Sequence, residues 1–126
     1  LSRGLGDVYK RQGEKSVSGE ILVIPQAYTT SSETATNASI GAVSATQSVY
    51  SAIHVTSANG TLDVIVESAP SNWSGESTRI THTQFTALGA EMKSAAGAIT
   101  DAYWRVKWTV GGGDPSFNFI CSLGII

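Results

Sequence analysis

Residues 102–119, "AYWRVKWTVGGGDPSFNF", contain two runs of alternating side chains that flank a cluster of glycines. Alternation with a period of two is typical of a β-strand with one buried face. If the chain turns within residues 111–114, Trp108 faces Phe117 across the hairpin, while Arg105 and Lys107 point to the opposite side. The rings are therefore predicted to form a core rather than a ligand-binding platform. The predicted core residues are Trp104, Val106, Trp108, Phe117 and Phe119.

Residues 49–67 alternate in the same way around Asn59-Gly60, the dipeptide most typical of a two-residue hairpin turn. In that hairpin Val55 faces Val64, and His54 lies near Asp63 on the mixed, polar side. Further strands are predicted over residues 20–28, 77–83 and 90–99, although helical spacing of apolar residues leaves a helix over 84–99 as an alternative. Seven to eight short strands separated by turns indicate an all-β fold, an antiparallel β-sandwich of jelly-roll-like form.

Size and composition limit the classes of protein. The chain has 126 residues, 41% apolar and 14% charged, which suits a single domain with a hydrophobic core. No apolar run reaches the roughly 20 residues that span a bilayer. The net charge is −2, and basic residues are concentrated in the first twelve positions, so the rest of the chain lacks a basic patch for nucleic acid. One cysteine excludes an internal disulfide.

The first twelve residues, "LSRGLGDVYKRQ", differ in character from the rest and resemble translated sequencing-adapter read-through. Residues 1–12 are therefore expected to be an artefactual or disordered segment. Residues 13–126 are expected to form one β-sandwich domain with a truncated N-terminus.

Catalytic chemistry is not indicated by any motif. His54 and His82 are isolated from each other and from any zinc-binding spacing, and residues 111–113 join two strands instead of leading into a helix that could bind phosphate. No catalytic residue, metal or cofactor is predicted. Asn72 and Trp73 lie in a polar loop without strand periodicity, and Tyr28 lies near a long polar segment, so these three are the candidate contacts with a partner.

Residues 49–126 resemble a group of small tailed-bacteriophage virion proteins. The matching stretches are "VYSAIHVTSANGTLDVIVES", "TRITHTQFTALGAE" and "GAITDAYWRVKWTVGGGDPSFNFICSLGII", and the most specific part runs from Asp101 to Phe119. The ending "LGII" is similar to the point where such proteins stop, so the C-terminus is expected to be intact.

The resemblance implies a non-enzymatic virion structural protein, a capsid decoration or tail component that binds other virion proteins and forms a homo-oligomer in the particle. Its implied location is the virion, without nucleic-acid or membrane partners. The alternative is a carbohydrate-binding β-sandwich module of a fibre or receptor-binding protein. The two differ in aromatic exposure, because a sugar platform needs at least two exposed coplanar rings.

Overall fold

The computed structural model describes residues 33–34, 38–71 and 74–126, which form an all-β structure with antiparallel pairing. The predicted segment 1–12 and the predicted strand over 20–28 lie outside the described residues. Residues 89–96 form a strand, so the helix alternative over 84–99 is wrong. The strands are β1 (Glu33–Thr34), β2 (Ala38–Ser39), β3 (Ser48–Ala69), β4 (Ser77–Thr81), β5 (Gly89–Ala96) and β6 (Tyr103–Ile125).

The two long strands β3 and β6 pair with each other along their whole length, from Val49 opposite Ile125 to Ala69 opposite Tyr103. Both predicted hairpins are therefore wrong. Val55 lies opposite Phe119 rather than Val64. Alternation determines which face of a strand a side chain occupies, but it does not determine which strand lies alongside. The alternating pattern is therefore compatible both with the predicted hairpins and with the observed β3–β6 pairing. The predicted count of seven to eight strands is not reached in the described residues, because each expected hairpin is one bent strand.

The β3–β6 ribbon folds back on itself. Trp108 and Phe119 belong to the same strand, yet their ring centroids lie 5.7 Å apart in an edge-to-face contact. Eleven residues of straight strand would separate them by about 36 Å. The fold occurs where the β3–β6 register shifts, between Val55 and Ser57 and again between Asn59 and Thr61. Bulges of this kind bend a strand and turn its side chains.

The fold-back creates two facing layers. The "β5 layer" consists of β5, residues 48–59 of β3 and residues 116–125 of β6. The "β4 layer" consists of β4, residues 61–69 of β3 and residues 103–111 of β6, with β1 and β2 beside β6.

The hydrophobic core lies between the layers. Inward-facing residues are odd-numbered in the β5 layer and even-numbered in the β4 layer, because the bulges change the alternation. The largest fully buried side chains are Trp104, Phe117, Phe119 and Leu62. Trp104 also donates a hydrogen bond from Nε1 to the Gly41 carbonyl oxygen at 2.9 Å, which satisfies its buried N–H.

Gly60 is required at the bend, and Gly60→Ala is expected to lower the free energy of unfolding by more than about 2 kcal/mol. Gly60 has a φ of +99°, and an added Cβ would collide with the carbonyl oxygen of Gly111. Gly113 is the matched control, because an added Cβ there meets no atom within 4 Å. Gly113→Ala is expected to change the free energy by less than about 1 kcal/mol. Equal losses in urea denaturation would contradict this role of Gly60.

Candidate functional site

The residues predicted from sequence as partner contacts, Tyr28, Asn72 and Trp73, lie outside the described residues. The predicted core residues are inside the protein: Trp104, Val106, Phe117 and Phe119 are fully buried, and Trp108 is 5% exposed. Neither strand tryptophan is therefore available to stack on a sugar.

An exposed hydrophobic surface occupies the outer side of the β5 layer. We call it the apolar face and define it as the even-numbered residues 48–54, 90–96 and 118–124. Its largest exposed side chains are Tyr50 at 37%, Ile120 at 46% and Met92 at 67%. Leu88 immediately precedes β5, and Ile126 immediately follows β6. These five are all the exposed large hydrophobic side chains of the described ranges.

The register arranges the apolar face in rows that cross the three strands β5, β3 and β6. Small side chains lie beside the large ones in every row, and a shallow groove of about 510 Å³ lies over Ala52, between Met92 and Ile120. Because small residues form its centre, another surface can approach closely there. The rows are Ser94–Tyr50–Gly124, Met92–Ala52–Ser122 and Ala90–His54–Ile120.

The apolar face contains no Asp, Glu, Lys or Arg, whereas the outer side of the β4 layer is charged. There, Glu67 lies opposite Arg105, and Glu67 Oε1 accepts a hydrogen bond from Arg105 Nε at 2.9 Å. The carboxylate of Asp63 accepts hydrogen bonds from Gln84 Nε2 at 3.1 and 3.2 Å. Buried and outward residues alternate in the same way in both layers. The outer surfaces differ in charge because different residue types occupy the outward positions. Loss of charge at exposed positions is typical of the centre of a protein interface.

His54 belongs to the apolar face, which corrects the prediction that it lies near Asp63. His54 pairs across the strands with Ala90 and Ile120, and Asp63 is on the other layer. The expected polar cluster depended on the hairpin at Asn59-Gly60, and it is absent because that hairpin does not form.

A chain of hydrogen bonds joins the two layers inside the protein. Ser51 Oγ lies 2.8 Å from His82 Nε2, and His82 Nδ1 lies 2.7 Å from Glu91 Oε2. Cys121 Sγ lies 3.4 Å from Ser51 Oγ. With Nδ1 protonated, neutral His82 donates to the Glu91 carboxylate and accepts from the Ser51 hydroxyl, and the thiol can donate to Ser51. Glu91 also accepts hydrogen bonds from the backbone N–H and the hydroxyl of Thr83, at 3.0 and 2.7 Å.

The order Ser–His–Glu is that of a hydrolase triad, but its geometry does not allow nucleophilic attack. Ser51 is fully buried, and its hydroxyl contacts His82 on one side and Cys121 on the other. A nucleophile needs an approach for the substrate carbonyl and donors for the developing oxyanion. Burial raises the pKa of the Cys121 thiol, against the lowering effect of the Ser51 hydrogen bond, so the thiolate is disfavoured as well. The network holds the layers together.

The network sets the protonation states of its members. Burial lowers the pKa of His82 and outweighs the hydrogen bond and the charge of Glu91, which raise it. For Glu91, burial raises the pKa. Hydrogen bonds from Thr83 and His82 and the charge of Lys93 act more strongly in the other direction and lower it to about 2. At neutral pH the pair is therefore a neutral imidazole donating to a carboxylate.

Sequence reasoning missed this network, although a signal was present. Ser51 lies between Val49 and Ile53 at an inward-facing position, and His82 follows Ile80 two residues later. Polar residues at core-facing positions need partners, and the fold-back brings these two together.

Metal or membrane features do not stand out in the described part of the chain. Residues 33–34, 38–71 and 74–126 contain no group of three or more His, Cys, Asp or Glu side chains that could hold a metal ion. Nor do these ranges include a helix long and apolar enough to cross a membrane.

Comparison with known proteins gives a likeness of fold. No family model and no curated protein sequence matches the chain. A chain in the structure of infectious bursal disease virus Gx strain matches with a TM-score of 0.52 and 13% identity, over 87% of this chain and 32% of that one. This chain thus spans about a third of the length of the viral chain. At this identity the likeness shows a shared fold and no more.

Two further solved structures have lower scores. PirA matches with a TM-score of 0.47 and 14% identity, over 86% of this chain and 94% of that one. The carbohydrate-binding module TmCBM61, in complex with β-1,4-galactotriose, matches with a TM-score of 0.41 and 11% identity, over 88% of this chain and 86% of that one.

Proposed function

We propose that this protein is a non-enzymatic structural component of a tailed-phage virion, a capsid decoration or tail protein that acts through protein–protein contacts. In this proposal the folded β3–β6 ribbon is the centre of a jelly-roll-like sandwich, and the protein is located in the virion. The sequence resemblance over residues 49–126 supports the phage assignment.

The observation that carries the proposal is the apolar face. All the exposed large hydrophobic side chains of the described residues lie on it or directly beside it. A contiguous exposed hydrophobic surface on a small domain is typical of an interaction site. The buried position of Ser51 supports the non-enzymatic part of the proposal.

The chemistry of the apolar face favours a protein partner over the other classes. A sugar platform needs at least two exposed rings, and Tyr50 is the only exposed Phe, Tyr or Trp in the described ranges. Nucleic acid and anionic lipid surfaces need clustered Lys and Arg, and the face contains neither. A partner surface that is itself uncharged and apolar fits this face.

The test is co-expression with the capsid and tail proteins encoded by the neighbouring genes, followed by purification of the assembled particles. We expect the protein to copurify with the particles, and Met92→Glu to reduce its occupancy at least tenfold by placing a charge in the contact. Thr109→Glu is the matched control, because Thr109 is exposed on the outer side of the β4 layer.

Two results would overturn the proposed function. One is a gene neighbourhood without terminase, portal, capsid or tail genes. The other is unchanged occupancy of the particles by Met92→Glu, with its melting temperature equal to that of the parent. A glycan array is run in parallel, and selective glycan binding that Met92→Glu abolishes would replace the protein partner by a carbohydrate.

A further inference from the structure

We propose that the partner at the apolar face is a second copy of this chain, packed face to face across a two-fold axis parallel to β3. This deepens the proposed function and rests on it for the site of contact. Three properties of the face, namely its register, its side-chain relief and its charge, support this choice of partner, and its size sets the expected strength of the contact.

The register makes the two outer strands of the face, β5 and β6, complementary to each other. A two-fold axis along β3 would place β5 of each copy over β6 of the other. Within the rows of the face, Met92 is aligned with Ser122, and Ile120 is aligned with Ala90. After the rotation, each large side chain on β5 or β6 therefore lies opposite a small one of the second copy. On the axis itself each β3 residue lies opposite its own copy, so the rings of Tyr50 and His54 meet their counterparts and Ala52 leaves space between them. A two-fold contact requires this kind of match, because the same patch serves on both sides.

The charge distribution favours this pairing. The chain carries a net charge of −2, so two copies approaching with arbitrary orientations repel each other weakly. On the outer side of the β4 layer Glu67 and Arg105 are already paired and largely buried, but the exposed Asp63 and the partly exposed Lys107 would have to be desolvated in a contact. The outward positions of the apolar face hold no Asp, Glu, Lys or Arg. Glu91 also lines the groove, but its carboxylate is already bound to His82 and Thr83 on the inward side of β5.

The size of the face sets the strength of the contact. Three strands about 4.8 Å apart and eight residues long cover roughly 400 Å² in projection. Specific interfaces bury about 800 Å² of accessible surface per partner, so this contact has about half the standard size and belongs with weak, transient interfaces. We therefore expect weak, concentration-dependent association in solution, which becomes effective when an assembled particle holds many copies close together.

Sedimentation velocity over a concentration series up to about 1 mM tests the association. The parent protein is expected to shift from monomer to dimer as its concentration rises. Met92→Glu and Ile120→Glu are expected to raise the dissociation constant at least tenfold, because each buries a charge without a partner. Thr109→Glu adds the same charge to the other layer and is expected to leave the dissociation constant unchanged within about twofold. Circular dichroism and thermal melts establish that each variant is folded.

Cross-linking tests the orientation. Facing sheets lie about 10 Å apart, beyond the reach of a disulfide, so a short bismaleimide is used. Ser48 lies on β3 at the end of the face, close to the proposed axis, and Ser48→Cys is expected to give cross-linked dimers. Thr109→Cys is the control and is expected to give none. Cys121 is fully buried, so it does not compete for the reagent.

The outcomes separate this inference from the proposed function. A parent protein that stays monomeric throughout the series, or a dimer that Met92→Glu leaves intact, overturns the second copy as the partner. If Met92→Glu nevertheless removes the protein from particles, the proposed function stands with a different virion protein at the face. If the parent dimerises through the face but does not copurify with particles, the second-copy inference stands and the proposed function fails.

Discussion

Trp108→Ala is expected to lower the free energy of unfolding by about 3–5 kcal/mol, the usual loss when a core aromatic side chain is truncated. Trp108 is 5% exposed, and its ring meets Phe119 edge to face at 5.7 Å between centroids. This contact joins the two halves of the folded β6 strand, so its removal leaves a cavity where the layers meet. Equilibrium urea denaturation measures the loss, and a value below about 1 kcal/mol would mean that the ring is exposed.

Trp108→Phe is the companion variant, because it keeps an aromatic ring in the same place. Trp108 Nε1 is buried, and it has no hydrogen-bond partner in the described part of the protein. An unpaired buried N–H costs about 1–3 kcal/mol, so removing it offsets part of the lost packing. We expect a loss of less than about 2 kcal/mol for Trp108→Phe. A loss equal to that of Trp108→Ala would contradict the expectation that the ring at this position carries most of the stabilisation.

Acid is expected to destabilise the protein in two stages, both governed by the buried network. The pKa of His82 is lowered in the folded state, so below about pH 6.5 the unfolded chain binds a proton more readily than the folded protein does. The free energy of unfolding therefore falls as the pH falls below about 6.5. The pKa of Glu91 is about 2 in the folded state and 4.5 without its partners. The stabilisation that the Glu91 carboxylate contributes to the folded state is therefore complete above pH 4.5 and is lost as the pH falls towards 2. We expect the second loss to be about 2 kcal/mol, because solvent at the carboxylate screens part of the shift.

Urea denaturation at a series of pH values measures both stages. Glu91→Gln is expected to be less stable than the parent at pH 7 and to lack the loss below pH 4.5 that Glu91 contributes. For His82→Gln, the free energy of unfolding is expected to change less with pH just below about pH 6.5 than it does for the parent. Glu76→Gln, at an exposed position before β4, is the control and should keep the profile of the parent. If the free energy of unfolding changed with pH in the same way for Glu91→Gln and the parent, Glu91 would not be stabilised by its hydrogen bonds in the network.

The all-β class and the inward side of β6 follow from local patterns in the amino-acid sequence. Trp104, Trp108, Phe117 and Phe119 alternate with polar residues, and a period of two places them on one side of any strand. The sequence also marked where the chain changes direction, since Asn59-Gly60 and the glycines at 111–113 lie at the bend. These properties depend on residues that are close together in the chain, so they can be predicted from the sequence without knowledge of the tertiary structure.

The pairing of the strands, and the exposure of one outward side without charged residues, depend on long-range packing. Val64 faces Trp108 because β3 and β6 run together through the bend, a contact between residues far apart in the chain that alternation does not encode. The apolar face follows from that pairing, which brings Met92, Ala52 and Ser122 from three strands into one row. Likewise, Ser51 and His82 become partners through the fold-back of the ribbon, because a buried polar group must be satisfied by whatever the packing brings near it.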